Sequence, residues 1–355
     1  MSATASAQSS VARALGESIR IVIVGDLHTY RLTVWPWELL GKSLAGQMNL
    51  WLNRRKRFDR SLIAPTIARA ASLKPDLVLM SGDLTTTARP GEFADIAAAL
   101  RPLLNSAPAI IVPGNHDVYT FTALRKNRIG AAVEAVVPTS FPFEQPLIGG
   151  WRLLAVNSAE PRLLDSRGRI GDRQLRQVET LLRAMPAEHG LVLLCHYPFG
   201  KPPEMSPMKT GHRLLDDHRW REVVGTCRGR LVLVHGHVHC PWLWRVQGMP
   251  NVLDVNAGAP TMVRRMSATR GGDARHENDL AGGCGQGFWE ITLSANAAAP
   301  IGFTHHVMVP GRTGNVGDAS VSLPHLSGIS AAWRSAEPVS DAASGRTWMA
   351  RHIAV

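Results

Sequence analysis

Five short apolar runs punctuate the chain: RIVIV at 20–24, DLVLM at 76–80, AIIV at 109–112, GLVLL at 190–194 and LVLV at 231–234. Each is continuous rather than alternating, as expected for a strand covered on both faces. Between them lie stretches with helical spacing, at 59–72, 91–104, 172–184 and 212–224. Strands alternating with helices predict an α/β sheet with several neighbouring strands.

Every run is followed within a few residues by Asp, Asn or His. Asp26 and His28 follow the first, Asp83 the second, and Asn115, His116 and Asp117 the third. His196 follows the fourth, and His235, His237 and His239 follow the fifth. A straight strand would put the three last histidines on one face, but Gly236 signals a turn between them. A single Asp or His after a strand is ordinary turn chemistry. Five such ends in order point to one site, because ligands of α/β sheets gather at the carboxyl ends of the strands. Imidazole with carboxylate suits zinc, iron or manganese. Two such ions about 3.5–4 Å apart would clamp a phosphoryl group under in-line attack and activate a shared water.

Composition narrows the classes. The chain has 355 residues, 45% of them apolar, enough for a sizeable core. A net charge of +11 suits an anionic substrate, nucleic acid or an acidic lipid surface and does not choose among them. The four cysteines, Cys195, Cys227, Cys240 and Cys284, show no CxxC spacing. That argues against a zinc ribbon or a disulfide framework and fits a reducing cytosol. Residues 1–18 lack a secretory pattern, and no apolar run reaches membrane-spanning length. The expected location is therefore cytoplasmic, with peripheral attachment at the inner membrane face held open.

The ordered set DLH, GDL, GNHD, a later His and GHVH resembles the calcineurin-like metallophosphoesterases, over residues 20 to about 260 and onward to 308 through the closing strands. The resemblance implies a four-layer αββα sandwich of two mixed sheets with a bimetal centre at one edge. It implies a hydrolase of phosphoester bonds that uses a hydroxide bridging two divalent or mixed-valence ions, of Mn, Fe or Zn. Carried over by position, Asp26, His28 and His239 would hold the first metal. Asp83 would bridge, and Asn115, His196 and His237 would hold the second. His116 would be a proton donor to the leaving oxygen, oriented by Asp117. His235 would remain a structural strand residue.

Departures from relatives bear on the substrate. Serine/threonine phosphatases of this kind show GDxVDRG and GNHE, where this chain has GDLTTT and GNHD. Purple acid phosphatases place a tyrosine ligand where this chain has Thr86. What remains resembles the bacterial phosphodiesterase branch. A membrane-associated pyrophosphatase acting on a nucleotide-sugar lipid such as UDP-diacylglucosamine is the alternative. A non-catalytic metal-binding scaffold on the same fold is the second. Nucleic acid is not an expected partner, and the oligomeric state is left open.

Residues 35–57 do not fit a minimal enzyme. Trp37, Leu40, Leu44, Met48 and Trp51 follow helical spacing with Leu52 beside them, and Arg54, Arg55, Lys56 and Arg57 close the stretch. This reads as a lid, as an interfacial helix for an anionic membrane surface, or as an amphipathic helix packed on the sheet. The domain expectation is a flexible segment at 1–18, a metallophosphoesterase domain at 19–309 and an irregular or disordered tail at 310–355. HRLLDDH at 212–218 is read as the start of a surface helix, and 267–287 as a long mobile loop.

Overall fold

The protein is described from a computed structural model covering residues 17–32, 48, 52, 57–133, 136–162, 165–205, 210–262, 287–308, 325–331, 338–343 and 346–355. The 35–57 segment, apart from Met48, Leu52 and Arg57, and the loop expected at 267–287, apart from Gly287, lie outside the described residues. So do residues 1–16 of the expected N-terminal segment.

The first sheet contains β1 (Ser18–Val24), β2 (Leu77–Met80), β3 (Ala109–Ile111), β10 (Gly287–Ser294), β11 (Gly302–Met308), β13 (Pro338–Asp341) and β14 (Arg346–Ala354). The second contains β4 (Phe143–Pro146), β5 (Trp151–Ala155), β6 (Gly190–Leu194), β7 (Arg230–His235), β8 (Trp242–Arg245), β9 (Val252–Asn256) and β12 (His325–Ser327). Their orders are β13-β14-β11-β10-β1-β2-β3 and β12-β8-β9-β7-β6-β5-β4. Each combines parallel central strands with antiparallel partners, so both sheets are mixed.

The continuous apolar runs are explained by what covers them. Ile21, Ile23, Leu77 and Leu79 face Val192, Leu194, Val232 and Val234 between the sheets. The alternate residues Val22, Val24, Val78 and Met80 meet the outer helices α1 (Ile63–Ser72) and α2 (Pro90–Leu104) through Ile63, Ile67, Phe93 and Ile96. On the far side, Leu191, Leu193, Leu231 and Leu233 pack on α5 (Asp172–Ala184) and α6 (Asp217–Val224) through Leu175, Val178, Trp220 and Val223. Two short helices, α3 (Phe121–Arg125) and α4 (Arg128–Ala132), follow β3. The result is the expected αββα sandwich. Among the described residues no helix is long and apolar enough to cross a membrane.

Three expectations are corrected. Residues 346–354, expected in an irregular tail, form β14, which pairs with β11 from Gly302↔Ala354 to Met308↔Trp348. Their RTWMARHIA sequence carries arginines and a histidine, so the strand is defined by its neighbours rather than by local pattern. The helix expected at 212–224 begins only at Asp217, because 210–212 makes a separate 3-10 turn. Cys195 and Cys227 are free, but Cys240 is disulfide-bonded. A disulfide needs closeness in space, which spacing along the chain does not report.

Candidate metal centre

The loops that leave β1 and β2 are laced together. Asp26 N donates to Gly82 O at 3.1 Å and His28 N to Asp83 O at 2.9 Å. Asp26, His28, Asp83, His237 and His239 all adopt positive φ, between 47° and 73°. Side chains rarely sit there, and such strain persists only where surrounding bonds impose it. The loops also crowd. A methyl group on Gly236 would lie 2.4 Å from Asp26 Oδ2, and one on Gly114 would lie 2.1 Å from Asp83 Oδ1. Neither position admits a side chain, which is why carboxylates can press against backbone there.

Two groups of donors result. Asp26, His28, Asp83 and His239 form one, and Asp83, His196 and His237 the other, with the donor atoms of each within 4.8 Å of one another. Asp83 belongs to both. Its Oδ2 lies 3.7 Å from His28 Nε2 and 3.5 Å from His196 Nε2. His28 Nε2 and His239 Nε2 face each other at 2.8 Å. Asn115 Oδ1 stands 3.0 Å from His196 Nε2 and 2.9 Å from His237 Nδ1. The fold thus brings together all seven residues expected as ligands.

Tautomers follow from the outer partners. His196 Nδ1 is 2.7 Å from the Ser81 carbonyl, which can only accept, so Nδ1 carries the hydrogen and Nε2 presents a lone pair inward. Burial holds His196 down at about 4 and His237 well below its ordinary value, so both rings are neutral donors at physiological pH. Burial first, and Asp83 second, raise Asp26 well above the usual carboxylate range. The same two causes push Asp117 up to about 6. Neutral imidazoles beside mutually repelling carboxylates form a donor set that two divalent ions would satisfy, since a cation between the carboxylates removes their repulsion.

His116 and Asp117 divide their labour differently from expectation. His116 Nδ1 lies 2.7 Å from Thr86 O, so a backbone carbonyl orients the ring and fixes Nδ1 as its protonated nitrogen. Asp117 instead accepts from Gly114 N (3.0 Å), Leu84 N (3.3 Å) and Thr85 N (2.9 Å). Its carboxylate ties the β2 loop to the β3 loop and is a brace. The imidazole of His116 sits edge-on to His28, with centroids 5.1 Å apart, and stacks on Tyr119.

The strand that carries the GHVH turn has its own support. His235 is fully buried, with Nε2 2.8 Å from Asp254 Oδ1, and Asn256 Nδ2 donates to Gly236 O at 2.7 Å. Ser158 Oγ accepts from His196 N at 3.1 Å and Tyr197 N at 3.2 Å, holding the β6 end.

Two residues beside the centre were not expected there. Phe58 packs its ring 4.4 Å from His28 and 5.4 Å from His239. His212, assigned from sequence to a surface helix, lies with its ring 5.4 Å from that of His237, and its Nδ1 is 3.2 Å from Ser166 Oγ. Neither carries a signal in the sequence, since both lie far along the chain from any donor motif they touch.

A two-sheet α/β sandwich with a shared carboxylate between two histidine clusters defines the class. The chain belongs to the calcineurin-like phosphoesterase family, whose pattern matches residues 19–241. It is 27% identical over 184 residues to a "Probable cyclic nucleotide phosphodiesterase" of Rhodococcus erythropolis, covering 51% of this chain and 57% of the relative. It is 26% identical over 164 residues to a 3',5'-cyclic adenosine monophosphate phosphodiesterase of Vibrio vulnificus, covering 46% and 54%. The chain therefore spans about half the length of these curated relatives. A solved dimetal phosphatase of Danio rerio shares the fold, with a TM-score of 0.55 at 11% identity over 81% of this chain and 95% of that one.

Proposed function

We propose that this protein is a dinuclear metal-dependent phosphodiesterase. Asp26, His28 and His239 would hold one ion and Asn115, His196 and His237 the other, with Asp83 common to both groups of donors. The observation that carries the reading is Asp83 Oδ2 between His28 and His196, one histidine from each cluster. The cyclic-nucleotide names of the relatives favour diesters over monoesters. Bound ions would polarise the phosphoryl oxygens and lower the pKa of water. The chain's residues supply position and a proton. With Nδ1–H held by Thr86 O, His116 has Nε2 left to carry the proton that the leaving oxygen takes. Asp117 keeps the His116 loop in register with the Asp83 loop, so donor and shared carboxylate move as one piece.

The test uses metal-stripped protein reloaded with Mn²⁺, assayed on bis-p-nitrophenyl phosphate and p-nitrophenyl phosphate. Diester turnover that disappears on stripping and returns on reloading is expected. Turnover of the monoester alone would rule out the diesterase reading. His116→Ala should retain both metals by elemental analysis and lose about 10²–10⁴-fold in diester turnover, the range for a general acid. Loss of metal from that variant would make His116 a ligand instead.

A further inference from the structure

A concave site lies on the loops that follow β6 and lead into α6, close in sequence to His196 and His212. It is a cavity of about 300 Å³ lined by Phe199, Lys201, Met205, Arg213, Asp217 and Arg221 among others. Its lining is joined to the second cluster by short stretches of chain. Phe199 follows His196 by three residues, and Arg213 follows His212, whose ring lies beside His237. Lys201, Arg213 and Arg221 line it together with one carboxylate, Asp217.

Arg221 is prearranged in it. Its guanidinium lies over the Phe199 ring, 4.6 Å from the centroid, and donates to Phe199 O at 2.7 Å. A methyl group on Gly200 would come within 2.7 Å of Arg221 Nη2, so the bare backbone of Gly200 lets the guanidinium lie against it. Guanidinium presents five donors in a planar fork that matches phosphate, and a fork already held by stacking loses little freedom on binding. A cavity of this size accepts a phosphate with part of its organic carrier. None of these residues takes part in the proposed hydrolysis.

We propose that this cavity binds a second phosphate of the substrate, carried on the organic part away from the phosphoryl group at the donor clusters. The inference rests on the phosphodiesterase reading for its location and deepens it. The favoured substrate is a phosphodiester that bears a further phosphate, rather than one whose only anion is the scissile group.

Calorimetric titration of the metal-loaded full chain tests it with two probes, adenosine 5'-monophosphate and adenosine 3',5'-bisphosphate. The base and sugar are common, so the affinity ratio reports the second phosphate. The bisphosphate is expected to bind at least about tenfold more tightly, with the ratio falling towards one in a Lys201→Gln/Arg213→Gln variant. Arg213 is exposed and Lys201 half-buried, and thermal unfolding of the variant checks that the fold is kept. Equal binding of the two probes by the natural chain, no binding of either, or a ratio unchanged in the variant would each overturn the proposal. Binding is read without turnover, so these results stand apart from the hydrolysis assay. An active diesterase with a ratio of one loses only the second-phosphate site. A preference for the bisphosphate without hydrolysis leaves the cavity and removes the activity.

Discussion

Asp83→Asn is expected to reduce bound metal from two ions to at most one and to lower diester kcat/KM by at least about a thousandfold. That factor corresponds to roughly 4 kcal/mol of barrier. The substitution is close to isosteric, and an amide oxygen can still accept from His116 N, as Asp83 Oδ1 does at 2.8 Å. What it removes is the negative charge shared by both clusters. The same change should have the opposite effect on the metal-stripped chain. Burial first, and Asp83 second, raise the carboxyls of Asp26 and Asp117 above their ordinary range, and the part due to Asp83 is repulsion built into the fold. Stripped Asp83→Asn protein should therefore melt at a higher temperature than the stripped natural chain. Elemental analysis, turnover and thermal unfolding read the three effects. Two retained ions with full turnover would show that Asp83 is not shared.

The second large effect lies away from the site. His305 on β11 is fully buried, its ring 4.8 Å from Trp289, and neither ring nitrogen has a hydrogen-bond partner. Burial, with His306 and Arg351 adding repulsion, pushes it down to about 3 from the ordinary 6.5. The folded chain thus keeps this imidazole neutral while the unfolded chain protonates it below about 6.5. The unfolded state binds the extra proton between those two values, so stability falls as pH drops from about 6.5 towards 3. By that linkage the loss from this one group is about 2 kcal/mol at pH 5 and on the order of 5 kcal/mol below pH 3. His305→Leu in metal-stripped protein should lose about 2 kcal/mol less than the natural chain between pH 7 and pH 5, by urea unfolding. At pH 7 it should be at least as stable, because an unpaired polar ring has been removed from the interior. Equal pH dependence in both proteins would show that His305 is not the group that titrates.

The family reading has a clear root in the chain. Each apolar run and the donors that follow it are neighbours in sequence, so Asp26, His28, Asp83, Asn115, His196, His237 and His239 are marked by the order of residues alone. The turn at Gly236 is equally local, and β7 does end at His235. The sandwich was legible because strands covered on both faces need uninterrupted apolar residues. Tertiary structure decided what depends on approach across the chain. Thr86, rather than Asp117, orients His116, because that contact spans 30 residues and uses a backbone carbonyl that no side-chain pattern marks. The positive φ angles at five of the seven donors arise from loops held by each other's hydrogen bonds. Phe58 and His212 reach the centre from segments with no motif of their own, and β14 is a strand only because β11 offers it an edge. Local periodicity and residue chemistry are written along the chain, whereas pairing, convergence and the direction of a ring are properties of neighbours that exist only once the chain has folded.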